Sequence, residues 1–255
     1  MIKLVCFIHR RPGWTRDDFQ RHWREHHGPL IAGIPELHRH VVRYEQNHRL
    51  ESDYLRDDRG GHGVSNGDDD PRNLAAFDGA TVMWFESMRE YQAFATEPLY
   101  AERIAPDEAQ FMDRERTMYF FSEEAEPKIG DLAEQQQGKV KLLALLARKP
   151  GLSISEFHAH WSGPHGDLFK SSPALRKNIL AYQQNHRSSK DYERAPDLAW
   201  DGMAEQWYTS LDAFHAAAGD ESFEQIVVPD EERFMNRAAT RFILCEPAHV
   251  VLSAS

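Results

Sequence analysis

The most constraining feature of this sequence is an internal repeat at a fixed offset of 138 positions. His22-Trp23 recurs as His160-Trp161, and Gln46-Asn47-His48 recurs as Gln184-Asn185-His186, with no gap between the two matches. A chain that repeats itself in register is expected to fold into two similar units. The repeated set includes histidine, tyrosine, glutamine and asparagine, so the duplication also preserves residue types suited to binding or proton transfer.

Length and charge limit the partners of the chain. Its 255 residues suit two domains, predicted as a first copy at 1–123, a linker at 124–138 and a second copy at 139–248. A formal charge of -11 disfavours nucleic acid and anionic membranes, which select basic surfaces. The expected partner is a small-molecule substrate, with no nucleic acid or membrane, and a homodimer of the tandem chain is possible.

The N-terminal sequence and the cysteines bear on location. Residues 1–5 lead into the repeat without a signal-peptide pattern, and no apolar run reaches the length of about 18 residues that a membrane helix needs. These features predict a soluble, cytoplasmic protein. Cys6 and Cys245 lie in separate apolar runs, so two reduced, buried thiols are expected rather than a disulfide or a catalytic pair.

Hydrophobic patterning predicts the order β-α-β-β-α-β in each copy. The predicted strands are 2–8, 41–50, 80–85 and 117–121, then 140–147, 179–187, 203–208 and 240–244. The first helix of each copy opens on a capping sequence, at Thr15 and at Ser153. Such a unit forms a four-stranded antiparallel sheet with helices on one face. Two copies are therefore expected to form an α+β fold of two ferredoxin-like units, packed sheet to sheet as an intramolecular dimeric α/β barrel.

The first copy carries an insertion. At the third strand the offset falls from 138 to 123, so the first copy has 15 extra residues between Tyr54 and Asp78. This stretch, near 55–77, is rich in glycine and aspartate and predicts a mobile surface loop. It is either a lid or an inert insertion.

The repeated motifs resemble the EthD family of the dimeric α/β-barrel superfamily, in a tandem duplication. The first copy carries Arg10-Arg11-Pro12-Gly13, Phe19, His22-Trp23, His27, Pro29-Leu30, Tyr44 and Gln46-Asn47-His48. The second carries Arg148-Lys149-Pro150-Gly151, Phe157, His160-Trp161, His165, Leu168, Tyr182 and Gln184-Asn185-His186. One departure is that Asp167 stands where the first copy has Pro29, while Pro164 precedes His165. The two sites are therefore not expected to be equivalent.

The resemblance implies the fold more strongly than the reaction. Related members of the superfamily include cofactor-free isomerases, cyclases, dehydratases or decarboxylases, oxygenases and haem enzymes, so the fold does not fix the function. By analogy with isomerases that resemble the first half of the unit, the implied acid-base residues are a histidine at the end of the first helix and a tyrosine on the second strand. The matching positions are His27 or His26, Tyr44 and His48 in the first copy, and His165, Tyr182 and His186 in the second.

The residues themselves suggest proton transfer. Alternation along the second strand puts Tyr44, Gln46 and His48 on one face, and Tyr182, Gln184 and His186 repeat that face. Histidine can move a proton near neutral pH while tyrosine polarises a carbonyl, and the glutamines could bind substrate. The alternative is a polar network that supports strand pairing. Trp84 and Trp207 could wall an aromatic substrate or simply pack in the core.

Metals and cofactors are not expected. His22 and His26 are four residues apart, a spacing that can chelate a metal ion, but the second copy has Pro164 in place of His26, which excludes a duplicated metal site. Haem with a histidine ligand remains possible through the superfamily. No glycine-rich loop follows a strand, which disfavours nucleotide cofactors.

The leading hypothesis is a cofactor-independent lyase or isomerase, catalysing elimination, decarboxylation or ring rearrangement. It would act on a small aromatic or carbonyl-bearing metabolite through His/Tyr acid-base chemistry. The alternatives are a haem-dependent enzyme of the same superfamily and a non-catalytic small-molecule-binding accessory protein.

Overall fold

The computed structural model describes residues 1–54 and 77–253, which divide into two units. The first unit consists of 1–49 and the described parts of 76–124 and 248–255. The second consists of 125–247 and the described part of 50–75. The predicted insertion near 55–77 lies, except for Phe77, outside the described residues.

Ten strands are found in the described ranges. In chain order they are β1 (Ile2–Ile8), β2 (Arg43–His48), β3 (Gly79–Phe85), β4 (Met118–Ser122), β5 (Glu126–Ile129), β6 (Val140–Leu146), β7 (Ala181–His186), β8 (Gly202–Tyr208), β9 (Arg241–Cys245) and β10 (His249–Ser253).

The helices of the described segments are short, and six of them continue directly into or out of a π-helical turn. The α-helices are α1 (Arg16–His22), α2 (Gly28–Ala32), α3 (Pro35–His38), α4 (Glu51–Tyr54), α5 (Met88–Thr96), α6 (Ala105–Phe111), α7 (Leu132–Gln137), α8 (Ile154–His160), α9 (Gly166–Ser171), α10 (Pro173–Arg176), α11 (Ser189–Arg194), α12 (Leu211–Ala218) and α13 (Val228–Phe234). The π-helical turns are Trp23–His27, Tyr100–Ile104, Trp161–His165 and Phe223–Val227.

Each unit contains one antiparallel five-stranded sheet. The strand order is β10-β2-β3-β1-β4 in the first unit and β5-β7-β8-β6-β9 in the second. The predicted order β-α-β-β-α-β is confirmed in both, and so is the α+β fold class. The pattern predicts four strands per sheet, and the fifth strand pairs with β2 or β7.

The fifth strands come from segments that the sequence pattern does not mark as strands. β5 and α7 lie within 124–138, which was predicted to be a linker. β5 contains Pro127 and two charged residues, so it lacks a clear apolar alternation. Both added strands pair with a register shift, between Pro127 and Ile129 in one sheet and between Val250 and Leu252 in the other.

Local sequence explains where the first helices begin. The Thr15 side chain accepts from the backbone N–H of Asp18, and Ser153 forms a reciprocal capping box with Glu156. Each helix then enters a π-helical turn whose last residue is His27 or His165. Such turns often occur at functional sites because the extra residue redirects the side chains that follow.

A tryptophan fixes each first helix against its sheet. Trp23 and Trp161 are buried, and their rings lie over Gly79 and Gly202 at the start of β3 and β8. A Cβ atom on Gly79 would lie 2.5 Å from Cζ3 of Trp23, which is closer than real Cβ atoms approach. Glycine is therefore required where the indole meets the strand.

The core of each unit includes a cluster of buried apolar residues. In the second unit it includes Phe157, Trp161, Val227 and Phe234. The two cysteines are free thiols; Cys245 is buried and Cys6 is partly buried. Among the described residues, no helix combines the length and the apolar character needed to cross a membrane.

Candidate functional site

Each unit contains a cavity lined by side chains from its sheet and from its helices. The cavity of the first unit has a volume of about 320 Å³, and that of the second about 110 Å³. Apolar side chains form most of both linings. The polar or ionisable residues that face them include His27, Tyr44, Tyr100, Glu108 and Arg114 in the first unit, and His165, Tyr182, Gln206, Glu231 and Arg237 in the second.

The histidine at the end of each π-helical turn is held by a carboxylate. Nδ1 of His27 lies 2.7 Å from Oδ2 of Asp107, and Nδ1 of His165 lies 2.9 Å from Oδ2 of Asp230. Because Nδ1 is engaged, Nε2 is the ring nitrogen available to a ligand. Burial lowers the pKa of His165, although Asp230 opposes this effect, so His165 is neutral and can accept a proton at pH 7.

The tyrosines on β2 and β7 are buried and protonated. The Tyr44 hydroxyl accepts a hydrogen bond from Nε2 of Gln46 at 3.0 Å. The Tyr182 hydroxyl accepts from Gln184 Nε2 at 2.8 Å and from Trp161 Nε1 at 3.1 Å. Burial raises the pKa of Tyr44 to about 12 and also raises that of Tyr182. Both hydroxyls therefore keep their proton and can donate it to a carbonyl or a developing oxyanion.

Tyr44 is the first member of a bonded row, a series of side chains joined by hydrogen bonds, in which Gln46 and His48 follow it. Gln46 donates to the backbone oxygen of Trp23 at 2.8 Å, and its side-chain oxygen lies 3.1 Å from Nε2 of His48. Nδ1 of His48 lies 2.5 Å from Oε1 of Gln20. A neutral imidazole carries one N–H, so His48 donates to only one of these two oxygens at a time. Burial, followed by the charges of Arg24 and His249, lowers the pKa of His48 to about 3.

In the second unit the corresponding bonded row is longer, because further side chains join it by hydrogen bonds. His186 Nε2 lies 3.2 Å from Gln184 Oε1, and its Nδ1 lies 2.7 Å from Nδ1 of His158. Nε2 of His158 lies 3.0 Å from the Tyr192 hydroxyl oxygen, and that hydroxyl donates a hydrogen bond to Oδ1 of Asp201. Burial lowers the pKa of His186 to about 3 and that of His158 to about 4. The two units differ here because Gln20 occupies the position of His158.

A pair of glutamates was missed by the sequence analysis. Glu108 accepts from the Tyr100 hydroxyl at 2.7 Å, and Glu231 lies 3.1 Å from Nε of Arg237. Burial raises the pKa of Glu231 to about 7, against the opposing effect of Arg237. The available signal was the triplet Pro106-Asp107-Glu108, which recurs as Pro229-Asp230-Glu231 at the offset of the third strand. It carries both the carboxylate that holds each histidine and the glutamate that lines each cavity.

The structure separates the predicted site residues into three groups. His27, Tyr44, His165 and Tyr182 line the cavities. The second group does not line the cavities and belongs to the bonded rows that start at the tyrosines: Gln46, His48, Gln184 and His186. Trp84 and Trp207 are not among the cavity-lining residues; their rings lie 4.8 and 4.9 Å from the buried ammonium groups of Lys3 and Lys141.

Among the residues that the structure describes, one group could hold a metal ion. His22, His26 and Asp107 place three ligand atoms within 4.8 Å of one another in the first unit. The equivalent positions of the second unit are His160, Pro164 and Asp230, so it lacks one of the three side chains.

Comparison with solved structures defines the class of fold. The chain is similar to an anthrone oxidase-like protein, with a TM-score of 0.61 and 9% identity, over 100% of this chain and 95% of the other. It is also similar to a dye-decolorizing peroxidase from Bacteroides thetaiotaomicron, with a TM-score of 0.52 and 6% identity, over 96% and 92%. These likenesses show that the chain shares its α+β fold with both proteins.

The chain belongs to the EthD domain family, whose profile matches residues 11–115 and 149–238. The two matches confirm the tandem duplication. A relative is the conidial pigment biosynthesis dehydratase EthD of Metarhizium robertsii, 25% identical over 133 residues. These residues are 48% of this chain and 84% of the relative.

Proposed function

We propose that this protein is a lyase that acts on a small aromatic or carbonyl-bearing metabolite, with elimination of water as its reaction. The observation that carries this proposal is the set of His165, Tyr182 and Glu231 on one largely apolar cavity, with their pKa values moved in different directions. Groups whose environments separate their pKa values can act as acid and base in the same site. The similarity to a dehydratase supports the same class of reaction.

In the proposed reaction, a β-hydroxy ketone loses water. Neutral His165 removes the proton from the carbon beside the carbonyl, and the Tyr182 hydroxyl hydrogen-bonds to the carbonyl oxygen as it becomes an enolate. The electron pair of the enolate then forms the carbon-carbon double bond as the carbon-oxygen bond breaks. Glu231, protonated in part at pH 7, gives its proton to the departing hydroxyl, which leaves as water.

The first unit offers an equivalent set in His27, Tyr44 and Glu108. Its cavity is larger, and Tyr100 donates to Glu108, whereas the second unit has Phe223 at the position of Tyr100. We assign acid-base chemistry to both units and expect different preferences for substrate size. Ligand pockets usually measure about 300 Å³ or more, so the first unit suits the larger substrates.

The bonded rows position the tyrosines in this scheme. His48 and His186 stay neutral at pH 7 and contact the glutamines that bond to each tyrosine. We therefore place His27, His165, Tyr44 and Tyr182 at the reacting atoms. We assign His48, His186, Gln46 and Gln184 to holding the tyrosine hydroxyls in position.

The test is the dehydration of β-hydroxytetralones of graded size, which yields fluorescent naphthols. We expect the wild type to turn over these substrates. His27→Ala and His165→Ala should each lose turnover of at least one substrate. The double variant should lose turnover of every substrate. His215→Ala is the matched control because His215 is an exposed histidine outside the cavity linings. Equal turnover by the wild type and a folded double variant would contradict the proposal.

We also propose that this reaction requires no cofactor. Haem is the group to test, because Nε2 of His27 and of His165 is the nitrogen an iron ion would use. We expect the purified protein to show no Soret band and to turn over substrate without additions. A stoichiometric Soret band, lost together with activity in the His27→Ala or His165→Ala variant, would favour a haem enzyme instead.

A further inference from the structure

We infer that the first unit carries a binding site for a divalent transition-metal ion, formed by His22, His26 and Asp107, and that the second unit lacks it. The site lies at the outer side of the helix end that carries His27. The proposal does not depend on the proposed reaction, because none of its arguments uses the cavity or a substrate.

The geometry of the three ligand atoms suits one small ion. Nε2 of His22 lies 2.8 Å from Oδ1 of Asp107, and Nδ1 of His26 lies 3.1 Å from the same oxygen. Neighbouring ligands of an octahedral ion with bonds of about 2.1 Å are separated by roughly 3.0 Å. The two separations from the carboxylate oxygen fall on both sides of this value, and all three atoms lie within 4.8 Å of one another, so rotation of the histidine side chains would bring them to bonding distance.

The carboxylate is already oriented for such a role. The Asp107 side chain is only 4% exposed, and its second oxygen bonds to Nδ1 of His27. Metal-binding carboxylates are commonly fixed by hydrogen bonds of this kind to the oxygen that faces away from the ion.

The site is open to solvent on one side. The His26 side chain is 60% exposed, and His22 and His26 line a surface cleft together with Asp18, Arg21 and Glu25. Arg21 pairs with Asp18, and Glu25 adds a further negative charge beside the entrance. An ion can therefore enter from water and complete its coordination with water molecules.

The donor set selects the class of ion. Two imidazoles and one carboxylate suit Zn²⁺, Fe²⁺, Co²⁺ and Ni²⁺, whereas Mg²⁺ and Ca²⁺ prefer sites made of oxygen alone. Sequence analysis found the two histidines but not the carboxylate, which lies 85 residues from His22 along the chain.

The second unit provides an internal comparison. His160 lies 2.8 Å from Oδ1 of Asp230, and His165 bonds the other oxygen, as in the first unit. Pro164 replaces the third ligand, and proline has no side-chain donor for a metal. Since the rest of the arrangement is preserved, the presence of His26 alone should decide which unit binds the ion.

The experiment is a calorimetric titration of the full chain with Zn²⁺, and a parallel titration with Co²⁺ followed by visible absorption. We expect one ion per wild-type chain and weakening by about tenfold or more in His26→Ala. His215→Ala, which alters an exposed histidine elsewhere, should bind as the wild type does. Thermal unfolding verifies that each variant is folded.

A gain of binding completes the test. Pro164→His should add a second ion per chain, because it restores the third ligand beside His160 and Asp230. Zn²⁺ binding by His26→Ala that equals the wild type, or no binding by the wild type at micromolar concentration, would overturn the proposal. An unchanged stoichiometry in a folded Pro164→His variant would contradict the claim that His26 distinguishes the two units.

Discussion

Nδ1 of His165 lies 2.9 Å from Oδ2 of Asp230, and both side chains are buried. This contact fixes the orientation of the ring and the nitrogen that carries its proton, and leaves Nε2 for a substrate. The same contact joins His27 to Asp107 in the first unit. The proposed chemistry depends on this pair, because a base that rotates freely would not stay aligned with one carbon-hydrogen bond.

In a His27→Ala background, which removes the base of the first unit, Asp230→Asn should lower kcat by about tenfold to a hundredfold while leaving KM nearly unchanged. The amide keeps the shape of the carboxylate but no longer supports the proton on Nδ1 by its charge. Steady-state kinetics on the naphthol-forming substrate would measure the split between kcat and KM. Loss of binding with kcat unchanged would show that Asp230 shapes the cavity instead of positioning the base.

Glu231→Gln should remove one limb of the pH profile of the second unit. Burial raises the pKa of Glu231 to about 7, so the carboxyl is protonated and able to act as an acid below that pH. With the first unit silenced by His27→Ala, we expect kcat/KM of the parent with Glu231 intact to fall as the pH rises through about 7. The variant should be slower and lack that fall, and a matching profile in both proteins would rule out Glu231 as the acid.

The same glutamate affects stability. Its folded pKa of about 7 exceeds the ordinary value of 4.5, so the folded state holds the proton more tightly than the unfolded state does. This contribution is complete below about pH 4.5 and is lost as the pH rises through 7, amounting to as much as about 3 kcal/mol. Urea unfolding at pH 5 and pH 8 should show a smaller loss in Glu231→Gln than in the wild type; equal losses would contradict the assignment.

His48 and His186 should make the fold sensitive to acid. Burial lowers the pKa of each histidine from 6.5 to about 3, so the unfolded chain takes up protons that the folded chain does not. Their contribution is full above about pH 6.5 and is lost as the pH falls toward 3. We expect His48→Gln to reduce the drop in Tm between pH 7 and pH 4.5, whereas exposed His215→Gln should not. An identical drop in His48→Gln would mean that His48 is not held neutral.

Gly79→Ala should destabilise the first unit by about 2–3 kcal/mol. The added methyl group would lie 2.5 Å from the Trp23 ring and 2.7 Å from the backbone oxygen of Asn47, and neither can move without disturbing the helix or the sheet. Gly163→Ala is the control, because its added carbon meets no atom within 4 Å. Chemical denaturation of both variants would measure the difference, and equal stabilities would contradict the described packing of Trp23.

The strand and helix order was predictable because each copy carries a clear periodic pattern and the two copies support each other. The predicted strand at 2–8 coincides with β1, and the face shared by Tyr44, Gln46 and His48 is joined by hydrogen bonds as alternation implies. β5 and β10 were not predicted. Both strands are short, and both pair with segments that are distant in the sequence. The local pattern of apolar residues carries no information about such distant pairing.

The candidate site was predictable only in part. Strand alternation identified Tyr44 and His48 but did not show that Tyr44 lines a cavity while His48 lies behind it. Asp107 and Glu108 come from a helix far along the chain, and their approach to His27 depends on tertiary packing. The Pro-Asp-Glu triplet they share with 229–231 was visible in the sequence, but repetition alone does not tell a core position from a cavity position.

Proton removal by His27 and His165 is tested most directly by hydrogen-deuterium exchange at the carbon beside the carbonyl of a tetralone that has no hydroxyl to eliminate. Followed by nuclear magnetic resonance in D₂O, it isolates proton removal from the rest of the reaction. We expect the wild type to accelerate the exchange. In the presence of the folded His27→Ala/His165→Ala double variant, the exchange rate should equal the rate in buffer without protein. Exchange by the double variant at the wild-type rate would contradict the role of His27 and His165 as the bases that remove the proton.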